Sequence, residues 1–138
     1  MNYKKWLIED LQDLGRLRFA CGQLRRELDT IDAEIAAIEC GPETAERKEW
    51  LLDARARWVD VDVNLKATEM HVADMEALLA GLPDEERTVV QAMFVDAVPG
   101  AVGVLMERLH VESAQVYRIK DRAMNHLAQM RYGCGWKR

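Results

Sequence analysis

Little in this chain could staple, ligate or cleave. The three cysteines, Cys21, Cys40 and Cys134, are an odd and scattered set. They make no disulfide framework and no CxxC pair of the kind zinc requires. All three read as plain thiols, and no metal site is expected. There is no glycine-rich phosphate loop, no HExxH and no nucleophile elbow. His71 and His126 stand isolated, His110 falls in a turn, and the acidic residues fall on helix faces turned to water. No catalytic residue, no cofactor and no enzymatic activity are therefore expected. No apolar run is long enough to span a membrane, and the opening MNYKKWLIEDLQDL lacks the apolar stretch of a signal peptide. The expected location is cytoplasmic, with no membrane partner.

Positive charge is also scarce, at a net −5 over 138 residues. Its distribution matters more than its total. Residues 82–138 hold eight Lys/Arg against seven Asp/Glu, whereas residues 1–81 hold eleven against seventeen. From Arg108 onward there are seven basic residues and two acidic ones. The C-terminal part is the part able to approach phosphate.

What the chain does have is helical period. Leu7, Leu11, Leu14, Leu17, Cys21, Leu24, Leu28, Ile31, Ile35 and Ile38 recur at spacings of three and four. A stripe this long, with no proline in it, predicts a coiled-coil seam. Cys40-Gly41-Pro42 ends it, with Gly41 suited to a left-handed cap and Pro42 unable to continue the ladder. Thr44 is placed to cap the next helix. A second stripe runs Leu51, Ala54, Trp58, Val61, Leu65, Thr68, Val72, Met75, Leu79. Folding back at Gly41-Pro42 sets Leu28 against Trp58, Leu14 against Val72 and Leu7 against Leu79. The prediction is an antiparallel helical hairpin over residues 1–80, about 50 Å long at ~1.5 Å per residue. Met70, Met75 and the tryptophans read as core or seam residues.

Gly81-Leu82-Pro83-Asp84 marks the next boundary, and residues 82–138 form the second predicted domain. Asp84 reads as an N-cap, with Glu85 and Glu86 in the first turn where the helix dipole favours them. That helix carries Val89, Val90, Met93 and Phe94 inward and stops before Pro99-Gly100. A short helix over Ala101 to Leu109 comes after it, then a turn at His110-Val111-Glu112, then a last helix from Ser113 to Tyr132, ended by Gly133. This is helix-turn-helix spacing, with Leu105, Leu109, Val111, Val116, Ile119, Ala123 and Leu127 facing one core. The fold class expected is all-α, a coiled-coil hairpin followed by a three-helix helix-turn-helix domain.

Stepping about 100° per residue from Ile119 groups Val116, Ala123, Leu127 and Met130 on the inner side. Ala114, Tyr117, Arg118, Asp121 and Asn125 point away, flanked by Ser113 and Arg122. This outward face is the candidate major-groove surface. Arg118 suits bidentate contact to guanine and Ala114 a thymine methyl. Lys120, Arg122 and Arg131 suit phosphate. Asp121 is placed to hold Arg118 or Arg122, or to accept from cytosine. The expected DNA-binding set is Ser113, Ala114, Gln115, Tyr117, Arg118, Lys120, Asp121 and Arg122.

Leu82-Pro83-Asp84-Glu85-Glu86-Arg87, with Val90, Phe94, Leu105, Leu109, Val111, Val116, Tyr117, Arg118 and Ala123, resembles region 4 of sigma-70-type sigma factors. The ending, with Leu127-Ala128 and Tyr132-Gly133, is similar to phage-encoded regulators, the ArpU-like and RinA-like late-gene activators. The resemblance covers about fifty residues, from Leu82 to Tyr132. It departs from the family at His110, where a glycine is usual, and at Pro99-Gly100, which adds length. It implies a phage or prophage transcriptional regulator that binds double-stranded DNA through Ser113, Tyr117, Arg118 and Arg122, with RNA polymerase as a further partner. The heptads of the hairpin fit either a seam closed within one chain or one opened to pair with a second chain as a homodimer. Two other readings fit the same residues: a small terminase-like packaging adaptor, and a coiled-coil interaction module that does not itself bind DNA.

Overall fold

The computed structural model describes residues 2–133. Cys134, Lys137 and Arg138 lie outside the described residues. Among the described residues all regular structure is helical. The elements are α1 (Tyr3–Glu39), α2 (Ala45–Ala80), α3 (Asp84–Val90), a π-helical turn (Gln91–Val95), α4 (Ala101–Leu109) and α5 (Ser113–Tyr132). No helix is long and apolar enough to cross a membrane. The chain divides into two compact units, Met1–Arg16 with Val72–Arg138, and Leu17–His71. The ends of the two long helices therefore group with the C-terminal helices, whereas the division expected from sequence follows the chain break at Gly81.

The unit Leu17–His71 follows from the two stripes. Of its buried apolar residues, Cys21, Ile31, Ala54 and Leu65 are all stripe positions, and the remaining stripe residues are half-buried. Ion pairs flank the seam. Arg25 Nη2 reaches Glu69 at 2.8 Å, Arg57 reaches Glu34 at 2.7 Å and Arg55 reaches Glu39 at 3.2 Å. As numbers rise on α1 they fall on α2, the order of antiparallel pairing. All three pairs are exposed and screened by solvent, so each adds little to stability. They select register, while apolar burial supplies stability.

Its turn is stitched by two contacts. Thr44 Oγ1 accepts from the Arg47 amide at 3.1 Å, the cap expected of it. The Arg47 guanidinium donates to the Glu39 carbonyl at 2.9 Å, satisfying an otherwise orphan group at the end of α1. Gly41 does not take the left-handed conformation expected of it; among the described glycines only Gly100 and Gly133 do. Arg47 does at this helix end what a left-handed cap would have done. Cys21 is buried and Cys40 exposed, both as free thiols.

The other unit holds two apolar clusters. The first joins Leu7, Leu11 and Leu14 to Met75, Leu79, Leu82, Val90, Val95 and the α5 residues Ala123, Met124, Leu127 and Ala128. The second joins Val89, Ala92 and Leu105 to Val116 and Ile119 of α5. α5 therefore contributes to both. α3 begins differently from expectation. Pro83 holds the cap position without a side-chain cap bond, and Asp84 is the first helical residue, its carboxylate paired with Arg87. After Val90 the helix widens, and the Asp96 amide reaches back to the Gln91 carbonyl at 2.8 Å. The i→i+5 spacing slows the rotation of side chains around the axis. Ala92 and Val95 are consequently the buried residues here, while Met93 and Phe94, expected inside, are half-buried.

Two expectations about charge are corrected in this unit. Glu86 is not on a solvated face; it is 3% exposed. His126 is not isolated, because its Nδ1 lies 2.8 Å from Glu86 Oε1 and 3.0 Å from Oε2, within hydrogen-bond distance of the carboxyl group. This contact ties α3 to α5. Truncating His126→Ala leaves the buried Glu86 carboxyl without this partner, and the expected loss is about 1–3 kcal/mol in urea unfolding followed by circular dichroism. The double replacement Glu86→Leu/His126→Leu recovers most of it, because two apolar groups leave nothing unpaired. A neutral His126→Ala would show that the carboxylate is not held by the ring.

Candidate nucleic-acid interface

The candidate surface depends on how the chain turns from α4 into α5. α4 buries Leu105 completely. It ends at His110, which takes the left-handed conformation at φ 56° and ψ 47°. The His110 amide and the Val111 amide both return to the Met106 carbonyl. Val111 then packs against the second cluster, plugging the turn as its position predicts. Glu112 is extended at φ −81° and ψ 161°, and its carbonyl opens the α5 ladder by accepting from Gln115 and Val116. His110 therefore carries a side chain at a position whose backbone geometry favours glycine.

α5 then separates its two faces. Val116, Ile119, Ala123, Met124, Leu127 and Ala128 are buried. Met130, expected on that inner face, is 44% exposed. Its sulfur lies 3.0 Å from where a Cβ on Gly81 would stand, so it covers the end of α2. Met124 and Ala128 take the inner position instead. On the opposite face Ser113, Ala114, Tyr117, Arg118 and Arg122 are exposed, and Gln115, Lys120 and Asp121 are half-buried.

The polar groups of this face are linked among themselves. Arg118 Nη1 donates to Gln115 Oε1 at 3.4 Å. Lys120 Nζ stands 5.6 Å from the Tyr117 ring centroid and 3.3 Å from Asp121 Oδ1. Asp121 is therefore the partner of Lys120, not of Arg118 or Arg122 as the sequence suggested. Arg122 instead faces Glu85 of α3 at 3.8 Å. With both groups about half exposed that pair is weak, so an incoming phosphate competes with it easily. The face thus presents two guanidiniums, Arg118 and Arg122, one helical turn apart.

Arg131 does not belong to this surface. It lies 2.9 Å from Asp10, donates to the Met75 sulfur at 3.5 Å and packs over the Tyr132 ring. Its charge is spent holding the end of α5 to α1, which removes the phosphate role read from sequence. Glu85 and Glu86 were legible in sequence only as first-turn acids. Their partners lie about forty residues away on α5, and no local spacing announces such a pairing. Among the described residues no group of three or more His, Cys, Asp or Glu is arranged to hold a metal ion.

Replacing His110→Gly removes the crowding of a Cβ in the left-handed conformation. The expected gain is about 1 kcal/mol, measured by thermal or urea unfolding; a loss would contradict the turn geometry. Comparison of the chain with protein-family models, curated proteins and solved structures finds no match.

Proposed function

We propose that the protein is a sequence-specific DNA-binding transcriptional regulator, phage- or prophage-encoded and sigma-factor-like. On this reading Leu17–His71 is the body of an antiparallel hairpin. α3, α4 and α5 form a helix-turn-helix, and α5 enters the major groove. The observation that carries the reading is the division of α5. Six inward residues are buried, while Ser113, Ala114, Tyr117, Arg118 and Arg122 face water on the other side of the same helix. A helix held on one face and free on the other, directly after a tight turn, has the form of a major-groove reader.

Roles follow from reach and chemistry. Ser113 and Ala114 open the helix and sit deepest in a groove approached by its N-terminal end. Arg118, steadied by Gln115, reads guanine. Arg122 and Lys120 contact phosphate and fix the docking without reading sequence. Tyr117 and Asp121 hold the Lys120 ammonium between them. The positive surface is small, so a single copy binds weakly, and useful affinity comes from a second copy or from contact with RNA polymerase.

Fluorescence anisotropy with a panel of duplexes at graded salt tests this directly. The two phosphate contacts of Arg122 and Lys120 give a slope of log K against log salt of about −2 for a single copy. Arg122→Ala weakens all sequences alike and flattens that slope by about one. Arg118→Ala costs about 1–3 kcal/mol on the preferred sequence and narrows the gap to the others. If the double variant Arg118→Ala/Arg122→Ala matches wild type at low salt, α5 is not the reader.

A further inference from the structure

The seam of Leu17–His71 is satisfied within one chain, with Cys21, Ile31, Ala54 and Leu65 each under a tenth exposed. It has nothing left to share with another chain. Yet the far side of α2 carries a second apolar row. Leu52 is 69% exposed, Val59 54%, Val63 60% and Met70 67%. Their spacings are seven, four and seven, and the intervening positions, Ala56 and Lys66, are also exposed. Together the six residues recur at four, three, four, three and four, the period of a helix seam. A helix that stood alone in water would have no use for two such stripes.

We infer that this outer row is the contact between two copies of the chain, paired antiparallel through α2 about a two-fold axis at position 61. The occupant is identified by the symmetry of the row itself. In a two-fold contact each residue meets the one equally far beyond the axis. Leu52 then meets Met70, Val59 meets Val63, and Ala56 meets Lys66. Every large apolar side chain finds a large apolar partner, and the one long charged side chain finds the smallest residue. A parallel pairing would instead set Lys66 against Lys66 within the row.

Charges beside the row agree with this arrangement. Lys66 Nζ is held by Asp62 of its own helix at 2.8 Å, so its charge is answered while its stem lies along the row. That hydrogen bond is also the main reason its pKa is raised. Arg55 and Glu69 on the same flank are already paired within the chain, with Glu39 and Arg25, so they neither drive nor oppose the contact. Asp60 approaches its own counterpart near the axis, an exposed like-charge contact that weakens the dimer without forbidding it. The row spans about 27 Å of one helix and offers four large apolar side chains per copy, so the dimer is expected to be weak and to depend on concentration.

Sedimentation equilibrium of the full chain tests the pairing, from a few micromolar to several hundred. Wild type is expected to rise from 15.8 kDa toward twice that mass. Val59→Glu/Val63→Glu raises the dissociation constant at least tenfold, with an unchanged thermal melt because both sites are exposed. Val59→Glu/Val63→Lys restores association, since antiparallel pairing sets each new glutamate against a lysine of the other copy. A parallel pairing would set like charges together in that variant. A wild type that stays monomeric throughout overturns the inference, as does a Val59→Glu/Val63→Glu variant that associates like wild type. Failure of the Glu/Lys variant to associate overturns the antiparallel register. None of these outcomes depends on DNA binding.

Discussion

The burial of one face of α5 is the constraint on which the rest of the C-terminal part depends. Val116 and Ile119 sit in one apolar cluster, and Ala123, Met124, Leu127 and Ala128 in another. Burying side chains of this size is worth about 1.5–3 kcal/mol for each of the larger ones. The surface ion pairs around the helix are worth a fraction of that. The apolar face therefore decides how the helix is rotated, and the polar face is what remains. Polar contacts then pin the helix at two points. Glu86 reaches His126 in its middle, and Asp10 reaches Arg131 near its end.

Fixing one face is also what qualifies the other for recognition. A side chain can select a base only if its backbone is held to within a fraction of an ångström. Arg118 gains further order from Gln115, and Lys120 from Tyr117 and Asp121. Arg122 keeps only a long contact to Glu85, which on the proposed reading leaves it available to a phosphate rather than a base. The same logic separates the two stripes of α2. The inner one is closed within the chain, and the outer one remains open to a second copy.

Much of this architecture is legible in the residues because it is periodic. Every position of the two long stripes is buried or half-buried among the described residues. The spans read for the last two helices coincide with α4 and α5, because apolar spacing and Gly133 mark their limits. What period does not encode is pairing between distant groups. Glu86 with His126, and Asp10 with Arg131, join residues whose sequence neighbourhoods carry no trace of each other. The π turn after Val90 was equally hidden; it brings Ala92 and Val95 into the interior, with Met93 and Phe94 packed half-buried against the same clusters. Gly41 and His110 mark the converse limit. The glycine lacks the left-handed conformation and the histidine has it, because the surrounding hydrogen bonds, not composition alone, set each helix end. The outer row of α2 was present in the sequence as well, but a helix with two apolar stripes shows only one of them until the other is seen to be covered.

The central claim is that the outward face of α5 is the surface that meets DNA. Amide chemical-shift mapping of the full chain, titrated with a short duplex at low salt, measures this residue by residue. The account predicts that the largest shifts fall on Ser113, Ala114, Tyr117, Arg118 and Arg122, with Leu17–His71 unmoved. Shifts confined to Leu17–His71, or none on α5 while DNA is bound, would contradict it.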